Sequence, residues 1–193
     1  MKYELYPAFK HWCPSGGNIW FYSDPHFGDK ESWMLRRTFF RAVDNVESFD
    51  NLQIENINKV CGKNDTLVIL GDVGNHLECV KRLRAKKKIL VLGNHDQGAS
   101  YYADTFDEVY TGPLIIAEKL ILSHEPINFP YAVNIHGHDH SNRSFKDGLH
   151  INCCAEHITL TPICLSHIVK SGLLKNVINI HREAIEKAKD YKK

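Results

Sequence analysis

Five short apolar runs in the sequence stop abruptly at side chains that can hold a metal ion or move a proton. Ile19 to Tyr22 gives way to Ser23, Asp24, Pro25 and His26, and Leu67 to Leu70 gives way to Gly71 and Asp72. Ile89 to Leu92 ends in Gly93, Asn94, His95 and Asp96; Leu120 to Leu122 ends in Ser123 and His124; Ala132 to Ile135 ends in His136, Gly137, His138, Asp139 and His140. A short apolar run closed by glycine and polar groups reads as a buried strand delivering chemistry from its carboxyl end. Asp24 and His26 are two apart, as are His138 and His140, and if each pair is extended both of its side chains point to one side. The inventory Asp24, His26, Asp72, Asn94, His124, His138 and His140 offers carboxylate, imidazole and amide donors but no thiolate. That mixture favours Mn²⁺, Fe or Zn²⁺ over Mg²⁺ or Ca²⁺. It is too many ligands for one first-row ion and suits two that share a carboxylate.

The elements that must position these groups follow from periodicity. Ile19–Tyr22, Leu67–Leu70 and Ile89–Leu92 read as strands separated by helical patterns, which argues for a largely parallel sheet. Glu31 to Val43 carries Leu35, Phe39 and Val43 at intervals of four, one face of a helix. Val46 to Val60 reads as a second helix with Leu52, Ile57 and Val60 inward and Asn45 as its N-cap. His76 to Lys86 reads as a polar helix whose lysine run, Lys86 to Lys88, is a solvated end. Beyond Tyr101 the pattern turns to short strands, Glu108–Thr111, Leu114–Glu118, Leu120–Leu122, Ala132–His136 and Leu149–Ala155. A short helix follows at Pro162–Ser171 and a terminal one at Asn179–Lys192. Two sheets packed face to face with helices outside is the simplest layout for this order.

The bulk numbers bound the function. The chain has 193 residues, 43% hydrophobic, with formal charge +1. That is enough for one domain, and it supplies no basic field for long duplex nucleic acid. No run reaches the ~18 apolar residues of a membrane span. Six cysteines without a C-x-x-C pair suit free thiols in a reducing compartment, hence a cytoplasmic protein. Twelve histidines are more than ordinary usage supplies.

The ordered set Asp24-Pro25-His26, Gly71-Asp72, Gly93-Asn94-His95-Asp96, Ser123-His124 and Gly137-His138-Asp139-His140 resembles the calcineurin-like metallophosphoesterases, specifically their small single-domain bacterial and phage-type hydrolases. The resemblance runs from Asn18 to His167, and Asn152 to Ser166 resembles the tail segment of those hydrolases. It implies an α/β fold, a four-layer α/β/β/α sandwich of two mixed sheets flanked by helices, forming one domain over residues 1–193. Residues 1–17 would be an N-terminal extension and 176–193 a C-terminal helix. It also implies two divalent ions, Mn²⁺ first with Fe or Zn²⁺ as alternatives. Asp24, His26 and His140 would hold one, Asn94, His124 and His138 the other, and Asp72 would bridge. A metal-bridging hydroxide would then attack a phosphodiester, or a phosphomonoester, with His95 assisting the leaving group and Asp96 fixing the His95 tautomer. The expected partner is a small phosphoester. A nuclease acting on short or single-stranded ends is a rival within the enzyme class. A non-catalytic metal-binding scaffold is the rival outside it.

Each motif taken singly has an ordinary reading: Asp24-Pro25 as a turn starter, Gly71-Asp72 as a strand-ending turn, Asn94 or Asp96 as a helix cap. Joint occurrence in this order is what points to a site. His136 reads equally as a strand histidine or as a neighbour of the ligands, and His76 as a helix start. His150, His157, His167 and His181 lie outside every motif. Arg143 reads evenly as a phosphate contact or a solvent-facing residue. Asp29 stands where the small hydrolases often carry histidine after Phe-Gly. The loops expected to meet substrate are Asp29–Trp33, Asn75–Glu78, Gln97–Tyr102 and Glu125–Tyr131.

Overall fold

The structure, a computed structural model, describes residues 16–116, 119–141, 147–177 and Lys187. One sheet has the order β4 (Glu108–Tyr110), β3 (Lys87–Val91), β2 (Thr66–Ile69), β1 (Ile19–Tyr22) and β9 (Ile163–Cys164). Strands β1 to β4 are parallel and β9 returns antiparallel to β1. The other sheet runs β5 (Leu114–Ile116), β6 (Leu120–Leu122), β7 (Val133–His136) and β8 (His150–Asn152), with β5 antiparallel to β6 and the rest parallel. The helices are α1 (Lys30–Arg36), α2 (Val46–Val60), α3 (Glu78–Lys81) and α4 (Leu165–Lys170). The result is the two mixed sheets with flanking helices that the resemblance implies.

The first sheet is buried on both faces, which is why its strands read as unbroken apolar runs. Ile19 and Phe21 of β1, Val68 of β2 and Ile89 and Val91 of β3 face Ile116, Leu120, Leu122, Val133 and Ile135 across the sandwich. The alternate residues Trp20, Tyr22, Leu67, Ile69 and Leu90 pack on Phe49, Ile54 and Ile57 of α2 and Val80 of α3. Helix α2 begins where Asn45 accepts a hydrogen bond from the Ser48 amide (2.8 Å), as its sequence predicts.

Several elements depart from the sequence reading. The helix expected over Glu31–Val43 ends at Arg36, leaving Leu35 79% and Phe39 73% exposed, while Arg36 between them is buried. The helix expected over His76–Lys86 is reduced to Glu78–Lys81. Lys87 and Lys88 open β3 instead of closing a helix, and Lys87 pairs with Glu108 of β4 at 2.5 Å. Within Pro162–Ser171 the short strand β9 precedes the helix, because Ile163 pairs with Phe21 and Cys164 with Trp20. The terminal helix apart from Lys187, most of the N-terminal extension, His181 and Arg143 lie outside the described residues.

The two sheets meet where β1 ends. Ser23 bridges to Cys154, its amide donating to the Cys153 carbonyl (2.9 Å) and its carbonyl accepting from the Ala155 amide (3.0 Å). That seam holds the strand ends of both sheets together, and the site lies on it.

Candidate metal centre

The geometry of the ligand residues is set by backbone, not by strand alternation. Asp24 (φ 55°), His26 (φ 47°), Asp72 (φ 54°) and His138 (φ 65°) all occupy the left-handed region, which ordinary side chains seldom adopt. The premise that the Asp24/His26 and His138/His140 pairs are extended therefore fails, and left-handed turns at the strand ends aim the side chains instead. Such conformations cost of order 1–3 kcal/mol each and cluster at functional sites. Glycines make room for them. A Cβ on Gly137 would stand 1.8 Å from Ser23 Oγ and 2.3 Å from Asp24 Oδ2, and one on Gly93 would stand 2.2 Å from Asp72 Oδ1.

Asp24 is fully buried. Its Oδ2 accepts from Ser23 Oγ (2.5 Å), the His138 amide (3.0 Å) and Cys154 Sγ (3.2 Å). Its Oδ1 has no hydrogen-bond partner and faces His140 Nε2 at 3.4 Å and His26 Nε2 at 3.9 Å. Burial alone would raise the Asp24 carboxyl, but the neighbouring His140 and His124 imidazoles hold it well below the usual carboxylate range. Asp72 is divided in the same way. Its Oδ1 accepts the His95 amide (3.0 Å), while Oδ2 stands between His26 Nε2 (3.7 Å) and His124 Nε2 (3.5 Å).

On the other side, His124 Nδ1 donates to the Leu70 carbonyl (2.8 Å), which leaves the lone pair on Nε2. That nitrogen is 2.8 Å from Asn94 Oδ1 and 3.2 Å from His138 Nδ1, and His138 Nδ1 is 3.0 Å from the same amide oxygen. Acceptors converging this closely fit a cation. The unpartnered Asp24 oxygen facing two ring nitrogens fits a second.

His140 is held by residues that the sequence reading did not single out. Its Nδ1 hydrogen-bonds Glu156, whose other oxygen meets Arg36 Nε at 3.3 Å; both charged side chains are almost wholly buried. An Nδ1–H given to Glu156 leaves Nε2 turned towards Asp24. Carboxylate partners of this kind fix the tautomer and orientation of ligating histidines. Asn152 Nδ2 (2.7 Å) and His157 Nε2 (3.0 Å) both donate to the Asp139 carbonyl, bracing the loop between His138 and His140. The one signal for Glu156, Asn152 and His157 in the sequence is their place in the tail segment from Asn152 to Ser166; for Arg36 there is none.

Asp96 has a different task from the one expected. Its Oδ2 accepts the amides of Asp72 and Gly93 (2.9 and 2.8 Å), and its Oδ1 accepts the Val73 amide and Tyr102 Oη (both 2.9 Å). It ties the Gly71-Asp72 and Gly93-Asn94 turns together, and among the described residues it makes no hydrogen bond to the His95 ring. His95 is exposed, with its ring centroid 5.8 Å from that of His26. His136 is buried on β7, with Nδ1 donating to the Gly137 carbonyl (2.8 Å), and belongs to no cluster of candidate ligands among the described residues.

Two recesses flank the cluster. One, about 370 Å³, is lined by His26, His95, His140, Asp29, Ser32 and the apolar Leu35 and Phe39; the other, about 340 Å³, by Asn94, His124, Glu125, Pro126 and Ile127. The expected loops Asp29–Trp33 and Glu125–Tyr131 thus reach the site. Asp29 itself caps α1, accepting from the amides of Glu31 and Ser32.

Comparison with known proteins finds similar sequences and similar folds. The sequence pattern of the calcineurin-like phosphoesterases matches residues 17–160. The Gene 66 protein of Mycobacterium phage L5 is 37% identical over 86 residues, which are 41% of this chain; the match spans 40% of that relative's length. A protein of unknown function from Aquifex aeolicus, AQ665, superposes with a TM-score of 0.67 at 28% identity, covering 80% of this chain and 99% of the other. The Pseudomonas putida nuclease MPE superposes at 0.40 with 24% identity, over 63% of this chain and 61% of its own.

Proposed function

Because the chain belongs to the calcineurin-like phosphoesterase family, we propose that it hydrolyses small phosphoric esters, phosphodiesters ahead of monoesters, at a pair of divalent cations. The observation behind this reading is the position of Asp72 Oδ2 between His26 Nε2 (3.7 Å) and His124 Nε2 (3.5 Å), where one carboxylate serves two ligand groups. Asp24, His26 and His140 form one group; Asn94, His124 and His138 form the other. Mn²⁺ is our first choice for both, since imidazole, carboxylate and amide donors without thiolate suit it. When bound, such a pair supplies Lewis acidity at the phosphoryl group and makes water a usable nucleophile at neutral pH.

The protein's own groups do the rest. His95 borders the same recess as His26 and His140, and in this reading it gives a proton to the leaving oxygen. Asp96 keeps the turns bearing Asp72 and Asn94 at a fixed separation. The preference for diesters rests on the two recesses. In this reading one ester arm would lie against Leu35 and Phe39 and the other against Pro126 and Ile127, residues that line the two recesses.

The test is a panel of bis-p-nitrophenyl phosphate, p-nitrophenyl phosphate, cyclic nucleotides, dinucleotides and single-stranded oligonucleotides with Mn²⁺. Higher kcat/KM on small diesters than on monoesters is expected. Preference for oligonucleotides would make the chain a nuclease, and cation binding without turnover on any phosphoester would make it a scaffold.

A further inference from the structure

Behind the loop that carries His26, a second set of donor atoms meets. Asp50 is buried on α2, and His76 and Cys79 stand three apart at the entrance to α3, where the Cys79 amide donates to the His76 carbonyl (3.0 Å). Residues so spaced in one turn leave the backbone on one side, and the His-x-x-Cys interval matches the short spacing of metal ligands. His76 Nδ1 is 3.5 Å from Cys79 Sγ and 3.7 Å from Asp50 Oδ2, and Cys79 Sγ is 3.8 Å from that oxygen.

The two distances to sulfur suit weak S–H hydrogen bonds or a shared cation, and the His76–Asp50 distance discriminates between them. An N–H···O hydrogen bond needs about 2.7–3.2 Å, so His76 and Asp50 are too far apart for one. A tetrahedral Zn²⁺, at ~2.3 Å from sulfur and ~2.0–2.1 Å from nitrogen and oxygen, sets its ligands about 3.3–3.6 Å from one another. The observed triangle is close to that. Asp50 is otherwise poorly compensated. The oxygen facing the ring accepts the Gly28 amide (2.9 Å) and, weakly, the Cys79 thiol (3.8 Å). The other oxygen is buried without a hydrogen-bond partner, and among the described residues no lysine or arginine forms an ion pair with this carboxylate. His76 is 54% exposed in its side chain, which opens a path for an ion and for a water as fourth ligand.

We propose that Asp50, His76 and Cys79 form a separate site for one Zn²⁺ ion, which fastens the loop bearing His26 to α2 and α3. The loop already leans on this corner: the Gly28 amide is held by Asp50, and the Phe27 carbonyl accepts the amides of Asn75 (2.8 Å) and His76 (3.0 Å). Without a cation, burial raises the Asp50 carboxyl and pushes the Cys79 thiol up to about 12. Binding therefore releases the thiol proton to solvent, and the thiolate becomes the third ligand.

The experiment titrates the metal-stripped full-length protein with Co²⁺ and then Zn²⁺. A thiolate-to-cobalt charge-transfer band that Zn²⁺ abolishes is expected in the parent and in Cys154→Ser. It is absent in Cys79→Ser and in His76→Ala, the latter an exposed position that tests the site even if the cysteine variant folds poorly. Zinc content falls by one equivalent in both of those variants. No thiolate band in the parent, a band that survives Cys79→Ser, or one removed by Cys154→Ser overturns the proposal. Turnover is read separately with Mn²⁺, so failure of the hydrolase reading leaves the cobalt result intact, and the reverse.

Discussion

His95 stands exposed at the rim of the recess it shares with His26 and His140; its backbone amide donates to Asp72 and its ring stands edge-on to His26, with no ring hydrogen bond to a proposed ligand among the described residues. Removing its ring therefore separates turnover from cation binding. His95→Ala is expected to lower kcat by about 10² to 10⁴ while metal content stays that of the parent, general acid catalysis being worth that much. Unchanged kcat takes His95 out of the mechanism. At His140 a pH dependence follows. Burial would lower this imidazole, but Asp24 and Glu156 raise it from 6.5 to about 9. A group raised on folding contributes stability in full below 6.5 and loses it as pH rises through 9. Chelator-treated protein should thus lose thermal stability across that window, Glu156→Gln should flatten the slope, and Mn²⁺ should bind more tightly as pH rises because it replaces the proton. The Arg36–Glu156 pair belongs to the same network. Arg36→Ala leaves the buried Glu156 carboxylate with His140 as its one charged partner among the described residues and should cost about 3 kcal/mol in denaturant unfolding, whereas the double variant Arg36→Met/Glu156→Gln should recover part of it.

At the scale of elements, strand ends carry the chemistry and the turns beyond them aim it. This much was legible: each apolar run that stops at glycine and a ligand marks a strand end, and all seven proposed ligands converge on the seam of the two sheets. How they converge was not legible. Period-two reasoning treats Asp24-Pro25-His26 as extended, yet both ligands have positive φ, a choice fixed by the Asp24 and His26 amides donating to the Gly71 and Asp72 carbonyls (3.1 and 3.0 Å). The apolar spacing of Leu35, Phe39 and Val43 likewise misleads. Leu35 in the last turn of the helix and Phe39 beyond its end line a recess, and Arg36 turns inward because Glu156, 120 residues later, meets it there. Tertiary partners of that kind leave no local periodicity. Gly137 tests the turn directly. A methyl group there meets Ser23 Oγ and Asp24 Oδ2, so Gly137→Ala should destabilise by about 1–3 kcal/mol and weaken cation binding at Asp24, read by denaturant melts and Mn²⁺ titration.

For the whole molecule, two sheets supply a rigid interior while the exposed loops leave two recesses open on either side of the buried carboxylates. Among the described residues no helix is long and apolar enough to cross a membrane. The fold thus presents a polar, cation-fitting seam between two recesses of mixed polar and apolar lining. The most direct measurement is hydrolysis of bis-p-nitrophenyl phosphate by chelator-treated Cys79→Ser protein as Mn²⁺ is added back, with Asp72→Asn alongside. Activity absent in chelator, restored as the second equivalent of Mn²⁺ binds and lost in Asp72→Asn is the predicted result. Full binding of Mn²⁺ with no hydrolysis, or hydrolysis undiminished in chelator or in Asp72→Asn, would contradict it.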